Sequence, residues 1–125
     1  MKKVLMVGFD PALVARSPEF KAAQMTPPDE TLAALAREQE RLRAAGFEVE
    51  NLFLDLGETA ESVVREKLRG QSFACINVGA GLRTNPRALL LFERIINAIH
   101  ELAPASRICF NATAADVLAA FQRWT

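Results

Sequence analysis

Four runs of apolar residues, each long enough for a β-strand, are separated by segments in which apolar positions recur at helical spacing. The runs cover 4–9, 47–54, 73–78 and 106–110. The first run contains no charged residue, which is typical of a strand covered on both faces, so we expect it at the centre of a sheet. The second run is more polar and is therefore expected near an edge.

The intervening segments predict helices with recognisable ends. The first long helix is predicted over 28–45 and ends at Gly46. Its apolar face is expected to carry Leu32, Leu35, Ala36, Leu42 and Ala45. The later helices are predicted over 60–69 with Thr59 as N-cap, over 86–102 with Asn85 as N-cap, and from a capping box at 113–116 to Trp124.

This order of elements predicts a fold class. Strands that alternate with helices form parallel sheets, because each return to the sheet passes through a crossover helix. We expect an α/β three-layer sandwich around a four-stranded parallel sheet of strand order 2-1-3-4, Rossmann-like or flavodoxin-like in type. The 125 residues contain no linker-like interruption, so the chain, 1–125, is predicted to form one domain.

The connection between the first strand and the first long helix, 10–26, is unusually long. Pro11, Pro18, Pro27 and Pro28 lie in it or directly beside it. Connections in such folds usually take about two to six residues. We therefore expect a functional flap, a short extra helix over 11–16, or both.

Charge and hydropathy exclude two classes of partner. Lys and Arg together number 15, as do Asp and Glu, whereas nucleic-acid binding requires clustered basic residues that neutralise phosphates. No run approaches the roughly 20 apolar residues of a membrane span. The opening run at 4–8 is too short for a signal peptide and is followed by Asp10 and Pro11. We expect a cytoplasmic protein that binds neither nucleic acid nor membrane.

The cysteines and the histidine give no metal or redox signature. Cys75 and Cys109 lie inside apolar runs at a separation that matches no such motif, so we expect two buried, reduced thiols. His100 is the only histidine and falls late in the helix at 86–102, away from the strand ends. We expect it at the surface or an interface, and we predict no metal site. The sequence contains no motif that identifies a cofactor, which stays unknown.

A binding site is expected between the first and third strands. Ligands of open parallel sheets bind beyond the carboxyl ends of the strands, where the strand order reverses. The residues expected there are Gly8, Asp10, Gly79, Gly81, Arg83, Thr84, Asn85, Asn111 and Thr113. Glycines let backbone N–H groups approach a ligand, and Arg83 suits a carboxylate or phosphate, which predicts a small anionic ligand. The alternative is that the glycines only turn the chain and Arg83 is solvated.

Catalysis in the same pocket is a second hypothesis. A hydrolase or transferase could use Asp10 as base or nucleophile and Arg83 as electrostatic stabiliser. Asp10 is equally typical of a turn, and so is Asp55, although dinucleotide-binding folds place a ribose-binding acid at the end of their second strand. Asn77 and Asn111 are predicted to be satisfied by local hydrogen bonds.

A third hypothesis is a protein-interaction module. Positions 88–99 show almost no polar face, and an exposed apolar helix usually marks an interface. We therefore predict a homodimer through the helix at 86–102. A charge placed at an exposed leucine of that helix would break such a dimer.

Three segments carry a resemblance to known proteins. They are KVLMVGFDP at the start, INVGAGLRTNPRALLLFERIINAIHELAP in the middle and ICFNATAADVLAAFQRW at the end. The chain resembles a family of small bacterial proteins of unknown function. This resemblance implies the α/β fold and carries no catalytic residue over.

Better-characterised proteins of similar architecture do not fit. Response-regulator receivers carry a phospho-accepting Asp after the third strand, where this chain has Gly79. Flavodoxins carry a Ser/Thr-rich turn after the first strand, and the IIB components of sugar phosphotransferase systems carry a cysteine there. The partial dinucleotide fingerprint at 79–84 lacks its third glycine and follows the wrong strand. The opening segment resembles pyroglutamyl peptidases, but the Cys/His pair of that family does not follow at a matching place.

Overall fold

The four predicted strands form one parallel sheet. The computed structural model describes residues 1–22 and 26–125. In this part of the chain the strands are β1 (Lys2–Phe9), β2 (Phe47–Leu54), β3 (Cys75–Val78) and β4 (Arg107–Phe110). Their order is β2-β1-β3-β4, as predicted. The two later strands begin one or two residues after the apolar runs that predicted them.

The position of each strand follows from its polarity. β1 is uncharged over 4–9, and it pairs along its whole length with β2 and over 4–7 with β3, so it is central. The more polar β2 has one strand neighbour and forms an edge, as expected. β4 forms the other edge through its pairing with β3.

Helices cover both faces of the sheet. They are α1 (Pro11–Arg16), α2 (Pro18–Lys21), α3 (Pro28–Ala44), α4 (Ala60–Gly70), α5 (Ala80–Thr84), α6 (Leu89–Leu102) and α7 (Val117–Trp124). Apolar residues of α4 and α6 form one core with Leu5, Val7 and Ile76 of the sheet. Apolar residues of α3 and α7 form a second core with Val4 and Met6. This separation confirms the three layers, with α3 and α7 on one side and α4 and α6 on the other.

The buried face of α3 differs from the predicted one. Leu42 is fully buried, but Leu32 is 41% exposed, and Ala36 and Ala45 lie at the surface. Glu38 is buried instead, at 2% exposure. Its carboxylate pairs with Arg41 and accepts a hydrogen bond from the Leu118 backbone N–H at 2.9 Å. Glu38 thus caps the first turn of α7, a role that the spacing of apolar residues on α3 does not indicate.

The helix predicted over 86–102 forms in two parts. Pro86–Ala88 is a 3-10 turn, and the Asn85 side chain caps it by accepting from the Arg87 N–H at 3.0 Å, as predicted. In α6, the inner face carries Leu91, Ile95, Ala98 and Ile99. Its outer face carries Glu93, Arg94 and Asn97, so the polar side is larger than expected. Leu89 and Leu90 are about 60% exposed, and the homodimer through this helix stays a prediction.

The long connection after β1 contains the predicted short helix, α1, followed by α2. The Asp10 side chain caps α1 by accepting from the Ala12 N–H at 2.9 Å. Residues 23–25, within the predicted flap, lie outside the described part of the chain. Gly46 ends α3 with a φ of 93°, a left-handed conformation that favours glycine.

The two cysteines are buried, as expected. Cys75 and Cys109 are buried free thiols on the α7 side of the sheet. The neighbouring Cys75 thiol, together with burial, raises the pKa of the Cys109 thiol. Among the residues described, no helix has the length and apolar character needed to cross a membrane.

Candidate functional site

A cavity of about 690 Å³ opens at the carboxyl ends of β1 and β3. It lies on the α3 side of the sheet, at the place where the strand order reverses. Its outer wall is formed by Glu30, Thr31, Ala34 and Leu35 of α3. The opposite wall is formed by α5 and the turn at 112–115. The position agrees with the rule that places ligands of open parallel sheets at such a switch point.

The floor of the cavity comes from alternate residues of the strands. Met6 pairs with Asn51 on one side and with Asn77 on the other, and all three line the cavity. Two residues further along β1, Gly8 pairs with Phe53. A Cβ atom built on Gly8 would meet no atom within 4 Å. The cavity therefore reaches down to the main chain of the central strand.

Gly79 has a packing role beside this floor. Its N–H donates to the Val7 carbonyl oxygen at 2.7 Å, which extends the β1–β3 pairing beyond β3. A Cβ on Gly79 would lie 3.1 Å from that oxygen and 3.5 Å from the Gly8 Cα. The distance to the Val7 oxygen is tighter than ordinary contact, so glycine permits the close approach of the two strands.

The segment after β3, where Gly79 and Gly81 were expected to turn the chain, is mostly helical. Residues Ala80–Thr84 form the short helix α5, with Gly79 as its N-cap. Leu82 is fully buried and fixes this helix against the core. The Thr84 hydroxyl donates to the Ala80 carbonyl at 2.7 Å, a bond within the helix. Thr84 and Gly81 still line the cavity.

Buried amides hold the wall at 112–115. The Asn77 Nδ2 donates to Asn111 Oδ1 at 3.0 Å, and the Asn111 Nδ2 donates to the Thr113 carbonyl at 2.6 Å. The Cys109 thiol donates to Asn77 Oδ1 at 3.6 Å. Both asparagines are at most 5% exposed. This network confirms the prediction that they are satisfied locally, and it connects the floor of the cavity to its wall.

Asp116 organises the same wall in place of the predicted capping box. Its carboxylate accepts from the backbone N–H groups of Ala112 at 3.1 Å and Thr113 at 3.0 Å. The Thr113 hydroxyl oxygen accepts from the Ala115 N–H at 3.2 Å. The bond from the Thr113 N–H to Asp116 is one half of a capping box, whereas the Thr113 hydroxyl bonds to Ala115 and not to the Asp116 N–H. These bonds close a turn, and α7 begins only at Val117.

Six of the nine predicted site residues line the cavity: Gly8, Gly79, Gly81, Thr84, Asn85 and Thr113. Asp10, Arg83 and Asn111 do not line it. The Arg83 guanidinium donates to the Asn111 carbonyl at 3.0 Å and lies 6.0 Å from the centre of the Phe110 ring. The Asp10 carboxylate is engaged at the N-terminus of α1. The two side chains expected to perform chemistry therefore hold the backbone outside the cavity.

Sequence reasoning missed the contribution of α3 and β2. Ala34 and Thr31 of α3 line the cavity, which helical periodicity alone does not reveal. Asn51 and Phe53 could have been found, because alternation along β2 places both on the side of Val49, which packs in the α3 core. Glu30 is the one charged side chain among the described lining residues.

Asn85 joins the cavity wall to α2. Besides its cap on Arg87, its Nδ2 lies 3.4 Å from the Phe20 carbonyl oxygen, a long hydrogen bond. The Phe20 ring meets the Phe9 ring edge-to-face at 5.5 Å between centroids. The connection after β1 thus covers one end of the cavity through Phe20.

Asp55 organises the turn after β2. Its carboxylate accepts from the N–H groups of Gly57 at 3.1 Å and Thr59 at 3.0 Å, and from the Thr59 hydroxyl. Thr59 occupies the N-cap position of α4, but its side chain donates to Asp55 and does not cap the helix. Burial raises the pKa of the Asp55 carboxyl, but the hydrogen bonds from Thr59 and Gly57 outweigh it and leave the pKa below its ordinary value.

Replacing Asp55 with alanine is expected to lower the free energy of unfolding by about 1 kcal/mol at pH 7, a typical cost for a lost cap. The folded pKa lies below the ordinary value of 3.8, so this stabilisation is complete above that pH and is lost as the pH falls below it. Urea unfolding of wild type and Asp55→Ala should show a difference that narrows on acidification. A difference independent of pH, or an equal loss in Glu58→Ala at the exposed neighbour, would contradict this role.

The remaining candidates do not converge on a centre for chemistry. His100 is exposed near the end of α6, as expected. In the described part of the chain, no group of three or more His, Cys, Asp or Glu side chains is arranged to hold a metal ion.

Comparison with known proteins assigns no family to the chain. No family model matches it, and no curated protein matches it. The resemblance to small bacterial proteins therefore stays a prediction, whereas the α/β fold that it implied is confirmed by the four-stranded parallel sheet.

Proposed function

We propose that the protein binds a small, uncharged and mainly apolar molecule in the cavity between α3 and the sheet. The observation that carries this proposal is the cavity itself, about 690 Å³ in volume and lined mostly by glycine, alanine and larger apolar residues. Ligand sites typically measure about 300–1,000 Å³ and combine apolar walls with a few polar groups. Here the polar groups are mainly amides and hydroxyls, including those of Asn51, Asn77 and Thr31.

An uncharged ligand has better support than the anion expected from the sequence. No lysine or arginine is among the described lining residues, and Glu30 would repel an anion. The Arg83 guanidinium is engaged with the Asn111 carbonyl. The N–H groups of Ala112 and Thr113 are already paired with the Asp116 carboxylate. Arg83 and these two N–H groups are thus directed to partners within the protein.

Binding is supported over catalysis by the same geometry. A hydrolase or transferase requires a nucleophile or base and a stabilising group that converge on the ligand. Asp10 caps α1 and Arg83 braces the end of β4, and neither lines the cavity. The fold can serve binding without them, because the site at a strand-order switch point is a property of the sheet. We place the domain with Rossmann-like and flavodoxin-like folds on the strand order alone.

A pair of variants on α3 tests the binding site. Ala34 lines the cavity, whereas Ala33, its neighbour on the same helix, is exposed and does not. Ala34→Phe should fill the cavity, and Ala33→Phe should leave it open. A thermal-shift screen of uncharged aromatic and aliphatic compounds should therefore find molecules that stabilise wild type and Ala33→Phe but not Ala34→Phe. A ligand at 100 times its Kd stabilises the native state by about 2.7 kcal/mol, which such a screen detects.

Two outcomes would overturn the proposal. One is that the compounds stabilise Ala34→Phe as strongly as wild type, which would place their binding elsewhere. The other is that only phosphate, sulfate or carboxylates stabilise the protein, which would restore the anionic ligand. The melting temperatures without ligand show whether each variant is folded.

A further inference from the structure

We propose that the ligand contains a flat, uncharged nitrogen heterocycle of two fused rings, stacked on the main chain at Gly8 and recognised at its edges by Asn51 and Asn77. This inference rests on the proposed binding function and specifies the chemical class of the ligand. It derives from the arrangement of glycines and amides on the cavity floor.

The cavity floor has a flat surface of main chain at Gly8. On the α3 side of β1 the side chain of Met6 is followed by the bare main chain of Gly8, with open space where a Cβ would be. Gly79 adjoins it, because its N–H donates to the Val7 oxygen. The main chain of β1 is therefore uncovered at Gly8, and Gly79 lies directly beside it on the cavity lining. A planar ring can lie against such a surface, whereas side chains would hold it away.

An aromatic residue and several small residues border this surface. Phe53 is the partner of Gly8 in the β1–β2 register; this residue is 45% exposed and lines the cavity. On the opposite wall the turn at 112–115 contributes Ala112, Ala114 and Ala115. Small side chains at one border and an aromatic ring at the other favour an aromatic ligand, since aromatic groups gain from offset or edge contacts.

Two asparagine side chains provide polar groups on the cavity floor. Asn51 and Asn77 flank Met6 in the next row of the floor, one on each neighbouring strand. Strands lie about 4.8 Å apart, so the two Cα atoms are separated by roughly 10 Å, which suits a two-ring system with a hydrogen bond at each edge. The Asn51 Nδ2 donates to Gln39 Oε1 at 3.2 Å, and the Asn77 Nδ2 to Asn111. These bonds use one of the two N–H groups of each amide and orient both amides.

The amide groups on the cavity floor are uncharged, which favours a neutral ligand. A carboxamide donates and accepts without carrying a charge, so it matches the alternating N–H, N and C=O groups at the edge of a neutral heterocycle. The Asn77 Oδ1 and one of its N–H groups already have partners, so a purely hydrocarbon ligand would leave its second N–H group facing apolar surface at a cost in binding.

Two probes of matched shape test the inference. Quinazoline-2,4-dione is a flat, uncharged two-ring heterocycle, and naphthalene has the same ring frame without polar atoms. Titrations followed by NMR of the full chain should give tighter binding for quinazoline-2,4-dione. Asn51→Leu should weaken its binding about tenfold, the usual effect of losing a hydrogen bond, and leave naphthalene unchanged. The control Asn97→Leu, an exposed asparagine on α6 outside the cavity, should alter neither.

Substitution of Gly8 tests the stacking surface. Gly8→Leu should weaken both probes at least tenfold, because the new side chain occupies the floor. Gly8→Ala should weaken them less, and it provides the test should the leucine variant fail to fold. Gly70→Leu is the control, since a Cβ at Gly70 also meets no atom within 4 Å and this glycine does not line the cavity.

The outcomes separate the two proposals. Binding of naphthalene at the cavity without preference for quinazoline-2,4-dione, or an Asn51→Leu variant that binds both probes as wild type does, overturns the heterocycle and leaves the apolar site intact. Binding of quinazoline-2,4-dione that is insensitive to Gly8→Leu and to Ala34→Phe overturns the site as well. Failure of both probes to bind wild type also rejects the heterocycle, while the wider screen then decides the binding function.

Discussion

Replacing Glu38 with alanine should lower the free energy of unfolding by about 2 kcal/mol, an unusual loss for an acidic residue on a helix that covers the sheet. The carboxylate accepts from the Leu118 N–H at 2.9 Å, across 80 residues of sequence. Removing it leaves an N–H group in the first turn of α7 without its partner and removes a negative charge from a helix N-terminus. A lost cap costs about 0.5–2 kcal/mol and an unpaired buried group about 1–3 kcal/mol.

The ion pair with Arg41 contributes little of this effect. The Arg41 side chain is 59% exposed, so water replaces Glu38 around the guanidinium. Urea unfolding should therefore give a small change for Arg41→Ala and a large one for Glu38→Ala. Glu38→Gln retains an oxygen that can accept from Leu118 and should lose about half as much. The matched control is Glu40→Ala on the exposed side of α3, expected within about 0.5 kcal/mol of wild type. An equal effect at positions 38 and 40 would contradict the capping role.

Replacing Phe121 with alanine should cost about 4 kcal/mol, the largest effect that we expect from a single substitution. Phe121 is fully buried in the α3 and α7 core, and its ring lies 6.1 Å from that of Phe47 between centroids. Removing a buried phenylalanine typically costs about 3–5 kcal/mol, because apolar burial is lost and a cavity is left. The measurement is the midpoint of urea unfolding by circular dichroism, with the slope checked for two-state behaviour.

The control for this substitution lies on the same helix. Trp124 is 53% exposed, so Trp124→Ala removes a larger aromatic ring with little change in the core and should cost less than about 1 kcal/mol. Comparable losses at positions 121 and 124 would show that the exposed ring is as important as the buried one, contrary to the packing described. Because α7 follows the wall at 112–115 directly, Phe121→Ala should also weaken ligand binding at the cavity.

Much of the fold could be predicted because its determinants are local or depend on sequence order. The uncharged run of β1 predicted a central strand, and the polar residues of β2 predicted an edge. The Asn85 cap and the short helix α1 were also predictable, since a cap or a proline at a helix start acts within about one turn.

The candidate site could be predicted only in part. Its location followed from the strand order, and six of the nine expected residues line the cavity. Its chemistry did not follow, because the direction of a side chain depends on partners far along the chain. Arg83 suits an anion by residue type, yet its guanidinium is engaged by the Asn111 carbonyl, 28 residues away. The glycines at 79 and 81 predicted an open turn, and the burial of Leu82 accompanies a helix there instead.

The sequence by itself determined the number, direction and order of the strands, because apolar periodicity and right-handed crossovers leave few arrangements of these elements. Only the tertiary structure decided which residues line the cavity and which polar side chains are buried. Glu38 is buried because α7 begins beside it and donates a backbone N–H to its carboxylate. The main chain at Gly8 forms part of the cavity floor because no atom lies within 4 Å of its Cβ position. Both outcomes depend on how helices sit on the sheet, and that arrangement is set by packing among residues distant in sequence.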